Sequence, residues 1–232
     1  MRYFTAILIL SQLFTLGCSA PSAQGSYALT PQEKHWCDSL KIDPSVIAGV
    51  REYTDEPIEP FHYSLGKLIK SDGTEQELDP IYAQGFVFDA PYRRSDDIVL
   101  NLRQQLASKG YSIFVLDRSF GIEDKPDNIG VLKTADKYDV LRQIKTDGIN
   151  WDIDNDSLIT IIKNFDRKYA LDLVGASGDW CEFVINKEPG DWFTFAAEVN
   201  KVCPDVVDQG TGTVEALAEE MKRTRRLYLW WD

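Results

Sequence analysis

The last six residues, Leu227-Tyr228-Leu229-Trp230-Trp231-Asp232, constrain this chain more than any other stretch. Chain ends usually fray, so a terminus carrying two adjacent tryptophans must be packed, and the run reads as a strand built into the fold. Ahead of it stands Cys203-Pro204-Asp205-Val206-Val207-Asp208-Gln209-Gly210-Thr211-Gly212-Thr213. Proline disfavours helical geometry in the residue before it, so Cys203 ends a helix. Gly210 and Gly212 predict a turn, and Thr213 opens a last helix with Val214, Leu217, Ala218 and Met221 on its inward stripe.

Helical and strand periods alternate along the chain. Thr30-Pro31-Gln32-Glu33 is a capping box with proline in the first turn, and a short helix can follow Asp43-Pro44. Ser71-Asp72-Gly73-Thr74 predicts a hairpin turn. Phe86 to Phe88 predicts a strand. Ser95-Asp96-Asp97 then reads as the cap of a helix striped by Ile98, Val99, Leu102 and Leu106 and closed by Gly110. Strands are expected at 111–116 and 129–132, and a helix at 136–145. Another helix is capped by Asn155 or Asp156, strands follow at 170–174 and 180–185, and Asp191 caps a helix carrying Phe195, Ala196 and Val199. The fold class is α+β: a mixed, mainly antiparallel sheet covered by helices, in a single domain with an N-terminal helical and hairpin extension. That extension spans residues 30–88 and the α+β domain 89–232.

The first residues carry address rather than fold. Arg2 precedes an uncharged, mostly apolar stretch from Tyr3 to Leu16, the length of a signal-peptide core and too short to span a membrane. Leu16-Gly17-Cys18-Ser19 resembles the lipobox of bacterial lipoproteins. That resemblance implies cleavage after residue 17, lipidation of Cys18, and an exported protein held in the cell envelope by a lipid, on the periplasmic side or the surface. Ordinary cleavage after Ala20 is the competing reading. Residues 18–29 would be a flexible tether. Of the four cysteines, Cys37, Cys181 and Cys203 then remain, and Cys181 with Cys203 is the candidate disulfide.

Composition narrows the chemistry. A net charge of −12 disfavours the phosphate backbone of nucleic acid and suits a basic protein partner, cations or simply solubility. The only histidines are His35 and His62, so the C-terminal half has no nucleophile–histidine pair and no histidine metal site. Asp152, Asp154 and Asp156 alternate as at the start of a calcium loop, but Ser157 and Lys163 stand where glycine and glutamate are required, and helix capping explains the acids. Gly210-Thr211-Gly212 lacks the other glycines and the lysine of a phosphate loop. No metal and no cofactor are expected. The remaining acids allow two readings. Asp179, Asp208 and Asp232 could work as general acid and base against an apolar wall, or serve as turn and cap residues. Asn150, Trp180, Asp205, Asp208, Gln209 and Trp230 are candidate binding residues, with a structural role open for each.

Four segments occur in a fixed order: Lys145 to Asp152, Gly175-Ala176 with Asp179-Trp180, Cys203 to Thr213, and Leu229 to Asp232. Together they resemble the bacterial domain-of-unknown-function family 4253, over residues 110–232, with Trp151 standing where tyrosine is expected. The resemblance implies a fold and no activity; some members of the family lie near toxin–immunity loci. The expected function is that of an exported lipoprotein acting as a protein-binding or immunity-like module with an acidic surface. The alternative is a carboxylate hydrolase of cell-envelope glycan.

Overall fold

The computed structural model describes residues 27–63, 67–70, 72–120 and 122–232. Cys18, the apolar segment before it and the tether up to residue 26 lie outside the described residues. The protein is an α+β domain built on a seven-stranded, mostly antiparallel sheet. In chain order its strands are β1 (Ile58–Tyr63), β4 (Ile81–Ala90), β5 (Ser112–Asp117), β6 (Asp127–Leu132), β7 (Leu171–Ala176), β8 (Trp180–Ile185) and β9 (Arg226–Trp230). A separate hairpin of β2 (Lys67–Ile69) and β3 (Glu75–Glu77) sits between β1 and β4 in sequence.

The spatial order is β1-β4-β6-β5-β7-β8-β9, with β5 and β7 the one parallel pair. All other neighbours are antiparallel; β7, β8 and β9 follow in chain order, whereas β6 inserts between β4 and β5, and the parallel join needs a helical crossover. That crossover contains α4 (Lys137–Ile144) and α5 (Asn155–Tyr169). The strand β4 runs through residue 88, so the segment before it and the segment after it share one sheet.

The sheet is buried on both faces. One carries α4, α5, α6 (Trp192–Val202) and α7 (Val214–Thr224) over a core including Phe114, Phe183, Phe195, Leu229 and Trp231. The other carries α1 (Pro31–Leu40), α2 (Pro44–Val50) and α3 (Tyr92–Ala107) over Phe86, Phe88, Val115 and Ile129. Alternation along β9 explains the division: Leu227, Leu229 and Trp231 point to the first core, whereas Tyr228 and Trp230 pack partly against the second. Thr30 caps α1 through the expected box, with Glu33 bonded back to the Thr30 N–H at 2.8 Å.

Three local expectations are corrected. The helix α3 begins at Tyr92, and Ser95 is buried with its Oγ 2.5 Å from Asp127 Oδ2; a carboxylate from β6 takes the hydroxyl that sequence assigns to a cap. The cap of α5 is Asp154, which accepts from the Ser157 N–H, while the Asn155 side chain donates to the carbonyls of Leu141 and Thr146. The turn expected at Gly210 and Gly212 is a wide π-helical one, Val206–Thr211, held by burial of Val206 and Val207 and ended by Gly212 at φ 78°.

The third correction concerns the cysteines. Cys181 and Cys203 are both buried free thiols. The Cys203 thiol is spent on the edge strand instead: Sγ lies 2.9 Å from the Trp230 carbonyl and 3.2 Å from the Trp230 N–H. Burial pushes this thiol up to about 12, so it stays protonated and unreactive.

Candidate functional site

The C-terminus is packed, as two tryptophans require. Trp231 is 3% exposed, its indole N–H donates to the Val202 carbonyl at 3.0 Å, and its backbone N–H donates to the Asp179 carbonyl at 3.0 Å. The loop 145–153 closes over it. A Cβ on Gly148 would fall 2.8 Å from the Trp231 ring, so only glycine lets the backbone approach this closely. Thr146 is fully buried, and its hydroxyl donates to the Ser177 carbonyl at 2.6 Å; the Asp147 N–H donates to the Gly178 carbonyl at 2.8 Å. From β1, the Tyr63 hydroxyl reaches the same turn, 2.8 Å from Ser177 Oγ and accepting from the Gly178 N–H at 2.8 Å.

Asp205 is the hub of this end. It is buried and accepts from the Trp151 indole N–H at 2.8 Å, the Asp232 N–H at 3.0 Å and Gln209 Nε2 at 3.2 Å. Burial pulls its carboxyl upward, but these donors outweigh it and hold the group below the usual carboxylate range. Trp151 is therefore tethered by its nitrogen while its ring stays 44% exposed, beside Ile149 at 63%. Ile149 and Trp151 thus present two apolar side chains to solvent from one fixed loop.

The surroundings are acidic. Asp179 is exposed, yet its carboxyl is pushed above the ordinary range, first by desolvation and then by the charges of Asp117, Asp232 and Asp147. The topology produces this crowding, because β5 and β7 are parallel and deliver Asp117 and the turn holding Asp179 to one end of the sheet. Asp152 and Asp208 are exposed on the adjoining segments.

The structure thus brings together most of the residues singled out in the sequence and separates a few. Asp205, Gln209 and Asp232 join Trp151, with Asn150 exposed on the same loop and Asp208 on the same turn as Gln209. Trp180 and Trp230 lie on the other face of the sheet. Trp180 is buried and stacked 5.8 Å from the Tyr228 ring, and Trp230 lines a cavity beside β9. Asp179, Asp208 and Asp232 do not line that cavity. Sequence reading missed Ile149, Asp117 and Asp147 as members of this face; an exposed isoleucine in a Gly-Ile-Asn-Trp run has no periodicity to betray it.

Residues 128–232 match the family model described as Domain of unknown function (DUF4253). The match begins within β6, so β7, β8, β9 and the acidic end lie inside the DUF4253 region, whereas β1, β4 and β5 lie before it. No curated protein and no solved structure matches the chain. Among the described residues no helix is long and apolar enough to cross a membrane.

Proposed function

We propose that this protein is a binding module, immunity-like in the sense that its action is to hold a partner, and that it takes a basic segment of another protein on the face around Ile149 and Trp151. The observation that carries the reading is the pairing of two exposed apolar side chains with the carboxylates of Asp147, Asp152, Asp179 and Asp232. An aromatic anchor supplies contact area at little entropic cost because Asp205 already fixes its orientation. Desolvation and, after it, the like charges of Asp117, Asp232 and Asp147 raise the Asp179 carboxyl, and a lysine or arginine side chain would relieve that repulsion. The same reading places the protein in the cell envelope, exported and anchored through a lipid on Cys18.

The competing reading, a glycan hydrolase working through Asp179, Asp208 and Asp232, has less support, since none of these acids lines the aromatic-walled cavity. The test is an affinity capture by the full chain from an envelope extract, at low and high salt, beside an Ile149→Ser/Trp151→Ala variant. Recovery of a basic protein that is lost in the variant and released by salt is the expected result. Equal recovery by the variant, or capture of glycan alone, would overturn it.

A further inference from the structure

A second feature lies beside the edge strand β9 and does not depend on the reading above. It is a cavity of about 450 Å³ between β9, α7 and the π-helical turn, within the size range of small-ligand pockets. Its aromatic walls are Tyr92, Phe120, Tyr228 and Trp230, and Leu217 and Met221 close it from α7. Tyr92 and Phe120 are 40% and 60% exposed at its rim. Phe120 is held at φ 53°, a left-handed conformation that a bulky side chain rarely adopts, so the backbone keeps this ring in place at a local cost.

The polar lining contains two arginines and Glu182 in one ionic network, with Glu220, Thr211 and Thr224 on the wall beside them. Arg118 Nη2 lies 2.6 Å from Glu182 Oε2 and 2.9 Å from Asp96 Oδ1; Arg226 Nη2 lies 3.1 Å from Asp96 Oδ2. Arg226 Nη1 stops 3.8 Å short of Glu182 Oε1, too far for a hydrogen bond. Two buried donors are consequently left without a hydrogen-bond partner: Arg118 Nε and Arg226 Nη1. Buried polar atoms are rarely unpaired, because each such group gives up its water for nothing. Asp127, 4.0 Å from Arg118 Nη1, does not satisfy them; it accepts from the Ser119 N–H and lies against Ser95.

We propose that this cavity is a binding site for a small ligand with an aryl or branched-alkyl body and one hydrogen-bond-accepting head, an amide carbonyl or a monocarboxylate. The body fits the aromatic walls, and the head meets the guanidinium groups of Arg118 and Arg226, each of which keeps one buried donor without a partner. Asp96 and Glu182 already balance the two guanidinium charges, so the site calls for an acceptor and not for a dianion such as phosphate. A cationic head would place donors against donors at the guanidiniums and find an uncommitted carboxylate only in Glu220, exposed on α7, where an ion pair is worth little.

The test is a titration of the full chain with 3-phenylpropionamide, 3-phenylpropionate and 3-phenylpropylamine, following the arginine Nε–H resonance of Arg118 by NMR. The amide and the carboxylate should shift it saturably, with a Kd on the order of 1 mM for ligands this small. The amine should not. Leu217→Trp, which fills the cavity, should weaken binding at least about tenfold. Phe120→Ala, at an exposed rim position that leaves folding intact, should weaken it measurably as well. Absence of saturation by both acceptor probes, binding of the amine as tight as that of the amide, or undiminished binding in both variants would overturn the proposal.

Discussion

The closeness of Gly148 to Trp231 yields a quantitative prediction. Gly148 has φ −127°, which any residue can adopt, so Gly148→Ala introduces no backbone strain. Its effect is steric alone: the new methyl would sit 2.8 to 2.9 Å from Cγ, Cδ1 and Nε1 of the Trp231 ring, where carbon atoms prefer about 3.5–4.0 Å. The ring cannot retreat, because its N–H is bonded to Val202 and the residue is 3% exposed. The expected cost is about 1–3 kcal/mol, the range for overpacking a well-filled core. Trp231→Ala alone should cost about 3–5 kcal/mol, through lost burial and the cavity left behind. In that background the methyl added at position 148 meets open space, so adding Gly148→Ala should cost less than about 0.5 kcal/mol. The two substitutions are thus expected to be coupled by about 1–3 kcal/mol. Urea unfolding of the four proteins, followed by far-UV circular dichroism, measures this cycle. Strict additivity would refute the claim that the loop is seated directly on the terminal indole.

Three further outcomes are expected. A fragment of residues 128–232, the extent of the DUF4253 match, should fail to fold, because the partners of β6 are β4 and β5 and both are removed; a dispersed amide NMR spectrum of the fragment would contradict this. Asp179→Asn should raise the melting temperature at pH 7, since a carboxyl raised in the folded state is disfavoured as the ion. That penalty applies above the folded pKa and disappears as the pH falls below the unfolded value of about 3.9, so the gain in the melting scan should shrink to nothing near pH 3. Tyr63→Phe should cost about 1–2 kcal/mol in denaturant unfolding by leaving the buried Ser177 hydroxyl and the Gly178 N–H without their partner, and an unchanged midpoint would count against it.

Helices were legible in the sequence because their signals are local. The Thr30 box, the Asp191 cap and the stripe of Leu217, Ala218 and Met221 each declare themselves within one or two turns. Errors arose where a distant group claimed a locally plausible residue. Ser95 looks like a cap until Asp127 arrives from another strand, and Cys203 looks like half of a disulfide until the edge of β9 uses its sulfur. The candidate residues at 205, 209 and 232 do converge, but their meeting with Ile149 and Asp117 depends on how loops from four strands are stacked. The ionic cavity had no sequence signal, since Asp96, Arg118, Glu182 and Arg226 are scattered across more than half of the chain.

What the sequence determined by itself was the α+β class, the alternation of strands and helices, and the need for a buried terminus. These follow from periodicity and from the free energy of hiding Trp231 and its neighbours, which any fold of this chain must satisfy. The tertiary structure alone decided that β5 and β7 run parallel, which gathers Asp117, Asp147, Asp179 and Asp232 at one end of the sheet. It also decided which donors go unpaired, because hydrogen-bond satisfaction depends on distances between residues far apart in the chain, and no local pattern encodes those.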